Sequence, residues 1–404
     1  MSYQVPMRRI GVDVEHLSIA SGQGTVCPDA ERTALRRCAL WALLVAKLVG
    51  AWGIGWDIRW HLIIGRDSFW IAPHVMAYAS VIAGALIPLG VLVIETWRRP
   101  WGADRPLATT TVGPPRTRGF HLALWGMIIT ILAAPIDDLW HRLFGLDISI
   151  WSPPHLLGFA GFQVAHLGGL LIALEVYGAS WKRWVALIAN GVFLLWTFQI
   201  VVDQSVQIAF RRGSIFLFTF PVLGALAFTF TLVLVGRIAE SRSAPFAVAV
   251  GALMLAISIL LVGDVGFAIL KPTSVIDEVI AADPTSPLAV AHEMARRNGW
   301  VLGRSMLLRQ ILLAPAALMI LTPVRRWRRT TAIFGLVLFV TSWAAFARVP
   351  AFSHISPTAI ETAFAMVVAL LCALGAGWCA MRLANVFERV THRPSAVSNL
   401  GVPQ

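Results

Sequence analysis

The chain alternates long apolar runs with short polar connections over nearly its whole length. Ten runs stand out, at roughly 36–62, 72–96, 119–144, 153–178, 183–207, 214–237, 244–270, 304–323, 330–349 and 357–385. Each is long enough for a helix to cross the hydrocarbon core of a bilayer. The eighth departs most from the pattern, with Arg304 and Arg309 near its start. The pattern predicts an all-α fold, a polytopic transmembrane helical bundle of about ten spans. Between the seventh and eighth runs, residues 272–303 carry Asp277, Glu278, His292, Glu293, Arg296 and Arg297, which predicts a partly helical connection outside the bilayer. From Val390 onward, Pro394, Ser395, Ser398 and Pro403 predict a disordered tail.

Composition agrees. Hydrophobic residues make up 57% of the chain and charged residues 13%, against about a quarter charged in a soluble domain. The first 34 residues are polar and mixed in charge, unlike a cleaved signal, and the first apolar run begins near Ala39. The net charge of +12 does not point to nucleic acid, because the cations lie in short connections between spans. Most fall on the tails and the even-numbered connections, among them Arg98, Arg99, Arg116, Lys182, Arg183, Arg237, Arg325, Arg326, Arg328 and Arg329. By the positive-inside rule this predicts cytoplasmic termini in a bacterial inner or plasma membrane, with lipid as the first partner. Cys27, Cys38, Cys372 and Cys379 form no metal-type cluster.

One polar pattern occurs twice. The first copy is Asp57-x3-His61, Gly65-Arg66-Asp67, Pro73-His74; the second is Asp137-x3-His141, Gly145-Leu-Asp147, Pro154-His155. An Asp and a His four residues apart share one helix face. After a turn, a proline suited to the first turn of the next helix brings a second His back at the same membrane level. Asp57, His61 and His74 can therefore surround one ion, and Asp137, His141 and His155 a second or the same one. Imidazole and carboxylate suit copper, iron, zinc or manganese. Both copies fall on the side opposite the arginines. The chain then divides into an N-terminal segment, 1–35; a metal-binding core, 36–207; a second membrane region, 208–385; and a tail, 386–404. Asp67, Asp147, His166, Gln199, Asp203 and Gln207 are candidates to orient the ligands.

Plainer roles compete. Arg59, Arg66 and Arg142 stand close enough in sequence to pair with the motif carboxylates. His166 fits packing as well as ligation, and Asp264 and His354 read as structural. His292-Glu293 lacks the second His of a zinc-protease motif. Trp60 and Trp140 fit an interfacial aromatic belt.

The first motif resembles the copper-binding signature of the C subunit of particulate methane and ammonia monooxygenases, an Asp-x3-His-x12-His stretch on a helix–turn–helix in the membrane's outer half. Asp57, His61 and His74 have that spacing, and Trp60-His61, Arg66-Asp67 and Pro73-His74 are similar in local text. Asp137-x3-His141 stands where the family carries Asn-x3-His, and His155 is an addition. The similarity covers roughly residues 40–205; the spans after about 214 match nothing in the family. It implies a copper-dependent oxygenase that activates O2 and oxidises a small apolar substrate. It also implies an external electron donor, and further membrane and cupredoxin-type subunits, since no cupredoxin segment is present here. The rival readings are a metal-ion transporter or handling protein, and a structural subunit of a larger complex. Transport needs ligands strung across the membrane, whereas the motif ligands cluster on one side.

Overall fold

A computed structural model describes residues 28–65, 68–98, 117–144, 150–209, 213–304, 306–322, 326–350 and 355–392. Among the described residues the secondary structure is helical. Nine helices are long and apolar enough to span a membrane. They are α1 (Pro28–Ile63), α2 (Ala72–Trp97), α3 (Arg118–Phe144), α4 (Pro153–Val176), α5 (Trp181–Ala209), α6 (Ile215–Ile238), α7 (Ala244–Leu270), α12 (Trp327–Phe346) and α13 (Ala359–His392). The connection after α7 holds two short helices, α8 (Ile276–Ala282) and α9 (Pro287–Asn298).

The predicted run at 304–323 is not a continuous span. It is split into α10 (Leu307–Ile311) and α11 (Leu313–Leu318). Pro315 has no amide hydrogen for the carbonyl of Ile311 and crowds it, so the helix breaks between them. Before the break, Arg304 and Arg309 are tied to Asp264 and Asp203. The chain's end also differs from expectation, because α13 runs on to His392.

Helix ends sort into two levels. At one end, Arg36 pairs with Glu95 at 2.9 Å and Arg237 with Glu388 at 2.8 Å. At the same end the Arg118 guanidinium donates to the Val390 carbonyl, and that of Arg183 to Ile238. These contacts gather the starts of α1, α3 and α5 with the ends of α2, α6 and α13. The ends of α1 and α3, with both Asp/His motifs, lie at the opposite level. The centre is filled by Phe120, Phe220, Phe228, Phe334 and Phe346, all fully buried.

Two hairpins carry the motifs, and both are drawn tight by small residues. A Cβ on Gly53 would lie 2.8 Å from the Ala77 amide nitrogen and 2.9 Å from the Pro73 carbonyl oxygen. A Cβ on Gly161 would lie 2.7 Å from both the Gly126 carbonyl oxygen and the Thr130 amide nitrogen. Such backbone contact is how membrane helices gain packing energy without a hydrophobic driving force between them. Gly161→Val is therefore expected to lower stability by about 1–3 kcal/mol through overpacking, read as a drop in thermal midpoint in detergent. Gly375→Ala, whose Cβ meets nothing within 4 Å, should be neutral or stabilising.

Candidate metal centre

The last turns of α1 present Asp57 and His61 to α2. Gly50 and Gly53 lie on the same face below them, where Gly53 meets the α2 backbone and Gly50 the Ser80 side chain. The helix stops at Gly65, whose φ of 75° suits glycine and ends the helix in a left-handed turn. After the turn, extended Ile71 leads into Ala72-Pro73 at the start of α2, and His74 follows on the first turn.

The three side chains converge. Asp57 Oδ1 lies 3.1 Å from His74 Nε2 and 3.6 Å from His61 Nε2. The imidazole centroids are 6.1 Å apart. One ligand atom from each residue lies within 4.8 Å of the other two. Ligands held about 2.0–2.2 Å from a common ion stand about 3.0–3.6 Å apart, so the two measured separations fit shared coordination. The side chains of Asp57, His61 and His74 are 24%, 27% and 16% exposed, shielded yet within reach of an ion.

The arginine that competes for the carboxylate goes elsewhere. Arg59 pairs with Asp264 at 2.8 Å and donates to the Leu260 carbonyl at 3.0 Å, both on α7. Its neighbours Trp56 and Trp60 face the same way, with Trp60 stacked on Phe267 at 5.7 Å. Trp60 is 7% exposed, so it packs inside the bundle and is not a belt residue. The motif end of α1 is thus held by α7 on one side and carries ligands toward α2 on the other.

The connection that follows α7 caps that end. Ser274 donates to the Ile63 carbonyl at 2.7 Å, the Val275 amide to Ile64 at 2.8 Å, and the His292 imidazole to Leu62 at 2.9 Å. These are the carbonyls a helix end leaves unsatisfied. His292 therefore positions the ligand-bearing turn. No local pattern announces this, because the partners lie 230 residues apart. The Arg59–Asp264 pair had one available signal: two opposite charges inside separate apolar runs, each costly alone.

The second copy repeats the layout in part. His155 stands on the first turn of α4 behind Pro153-Pro154, and its Nε2 lies 3.5 Å from Asp137 Oδ1 on α3. Arg142 pairs with Asp138 at 2.6 Å. His141 lies in α3, but its side chain falls outside the described residues, as do Asp67, Asp147, His354 and the side chain of Gln207.

Three residues considered as ligand supports sit apart from the triad. His166 bonds Thr197 Oγ1 at 3.1 Å and stacks between Phe162 and Phe193. Asp203 faces Arg309 at 3.7 Å. Gln199 is buried in α5, its carbonyl oxygen without a hydrogen-bond partner among the described residues.

The chain matches no family model, no curated protein and no solved structure. The site therefore rests on its own geometry. Because Gly53 sets the spacing of α1 and α2, Gly53→Leu is expected to part Asp57 from His74 without removing a ligand. Metal content of the purified variant, by elemental mass spectrometry, should fall by at least about tenfold relative to the parent, as for loss of a group supporting a metal ligand.

Proposed function

We propose that this chain is a copper-dependent membrane oxygenase, with Asp57, His61 and His74 as the metal ligands. The observation that carries the reading is Asp57 held between two imidazoles at 3.1 and 3.6 Å while nearby Arg59 pairs with α7. A carboxylate at the end of a membrane helix needs a positive partner, and a cation at the triad supplies one. Copper, the O2 chemistry and a small apolar substrate come from the motif's resemblance to the copper monooxygenase subunit. When bound, a redox metal supplies one-electron and O2 chemistry that no side chain here provides.

The residues of the chain have distinct roles in this reading. Asp57 offsets the ion's charge, and His61 and His74 fix two of its ligand directions. Tyr78, one turn along α2 from His74 with ring centroids 5.8 Å apart, packs beside the triad. His292 and Ser274 keep the last turn of α1 in register with α2. The cytoplasmic placement of the arginine-rich end, and so the outer placement of the triad, follows the positive-inside rule. An external electron donor and further subunits belong to the same reading.

Iron is the specific rival, because two imidazoles and one carboxylate are also the donor set of non-haem iron oxygenases. Transport is less well supported. The two deeper residues it would use are engaged: Asp264 between Arg59 and Arg304, and His166 between two rings and Thr197.

Elemental analysis of protein purified from copper- and iron-replete cells tests this. The parent should retain a transition metal, and His61→Ala and His74→Ala should each lose about one equivalent while keeping parental helix content. His141→Ala asks whether the second copy holds a separate ion. Metal-free parent protein, or unchanged metal in both triad variants, would sink the metal assignment. Copper-loaded protein that consumes no O2 with a reductant and small hydrocarbons would leave the site standing and remove the oxygenase.

A further inference from the structure

A second site lies on the other side of α1. A chamber of about 220 Å³ opens between the motif ends of α1, α5 and α7 and the segment that carries α9 and α10. Its wall is largely apolar and includes Ile58, Leu62, Ile200, Ile259, Leu260 and Leu307. On α1, Ile58, Arg59 and Leu62 face it; at about 100° per residue Ile58 stands about 100° around the helix from Asp57, Leu62 about 100° from His61, and Arg59 about 160° from both. The chamber is therefore separate from the triad, and much of its wall lies beyond the part of the chain that resembles the copper monooxygenase subunit.

Its polar groups are few and incompletely satisfied. Arg59 is 4% exposed. Two of its nitrogens are bonded, to Leu260 and Asp264, but its buried Nε has no acceptor among the described residues. That nitrogen is next to another part of the wall, since a Cβ on Gly303 would lie 3.7 Å from it. Arg309 also lines the chamber. Its Nη2 is 3.7 Å from Asp203 Oδ2 and its Nη1 donates to Met306 Sδ at 3.7 Å, while its buried Nε has no acceptor. Gln204 is already used, accepting from the Ile150 amide at 2.9 Å. Among the described residues Arg59, Arg309 and Asp203 line the chamber and Arg59 shares Asp264 with Arg304, an excess of one positive charge.

Buried N–H groups of a guanidinium are costly to leave unmatched and bond most strongly to an anionic oxygen. The remaining wall is apolar and offers water few partners. The shape and charge together call for an apolar body with one anionic head. We propose that this chamber binds a single-chain amphiphile with a carboxylate head, the head against Arg309 and the Nε of Arg59 and the chain along Ile58, Ile200 and Ile259. A neutral head satisfies the N–H groups but leaves the excess charge. A cationic head adds to that charge. The inference does not depend on the metal reading, since none of these groups is a proposed ligand.

Decanoate is a suitable probe, with decanol of equal chain length as the control. Adducts are counted by native mass spectrometry of the full chain released from detergent micelles, over a range of added ligand. One decanoate should be retained saturably, with decanol bound at least about tenfold more weakly, the scale of one charge-assisted hydrogen bond. Arg309→Gln should weaken decanoate about tenfold and narrow its advantage over decanol. Ala295→Trp fills the chamber from α9 without touching a charge, so it should abolish binding of both probes. Circular dichroism and an unchanged thermal midpoint in detergent show that each variant is folded, and if Arg309→Gln is not, Ala295→Trp decides alone. Decanoate bound equally by the parent and Ala295→Trp would overturn the site, and decanol bound as tightly as decanoate would overturn the anionic head.

Discussion

Arg59 stands two residues from Asp57 on the last turns of α1, yet the helix turns it about 200° away from the carboxylate. It closes instead on Asp264 and the Leu260 carbonyl of α7. The consequences run in three directions. The motif end of α1 is fixed to α7 by a pair formed between two charges that neither span carries cheaply alone. Asp57 is left to His61 and His74, so the carboxylate lies at the centre of the proposed ligand set and not against a guanidinium. The guanidinium also presents its remaining N–H to the chamber behind α1. Truncating Arg59 would strand Asp264 with Arg304 as its remaining partner and loosen the triad from behind.

Precision at the triad comes from backbone contact. Helices in lipid gain little from hiding apolar side chains against one another, so close approach through small residues takes over. Gly50 and Gly53 bring α1 against α2 just below the ligands, and Gly126 and Gly161 do the same for α3 and α4. The two copies thus share a device: close helix packing below, and a proline that starts the return helix so that its histidine meets the aspartate. The end of α1 is capped by residues 274, 275 and 292, which lie far beyond the duplicated region.

Much of this was legible from residue order. Hydropathy located nine spans and the partly helical connection after the seventh, since length and apolarity are enough for a membrane helix. The Asp-x3-His spacing and the proline before the second histidine placed Asp57, His61 and His74 together because helix periodicity and first-turn proline are local rules. The break at Leu312 was obscured because the apolar run continues through it, although Pro315 and two arginines were visible. Trp60 read as a belt residue since its partner, Phe267, lies in another span. His292, Arg59 with Asp264, and the chamber depend on contacts across some 200 residues, which no local pattern encodes.

The central claim is that one metal ion sits between Asp57, His61 and His74. Anomalous diffraction from crystals of copper-loaded protein, with data on both sides of the copper absorption edge, tests it most directly. The account predicts a difference peak within about 2.0–2.2 Å of one atom from each of the three side chains, with the carboxylate as the shared neighbour of both imidazoles. Copper located only elsewhere, or no anomalous peak at the end of α1, would contradict it.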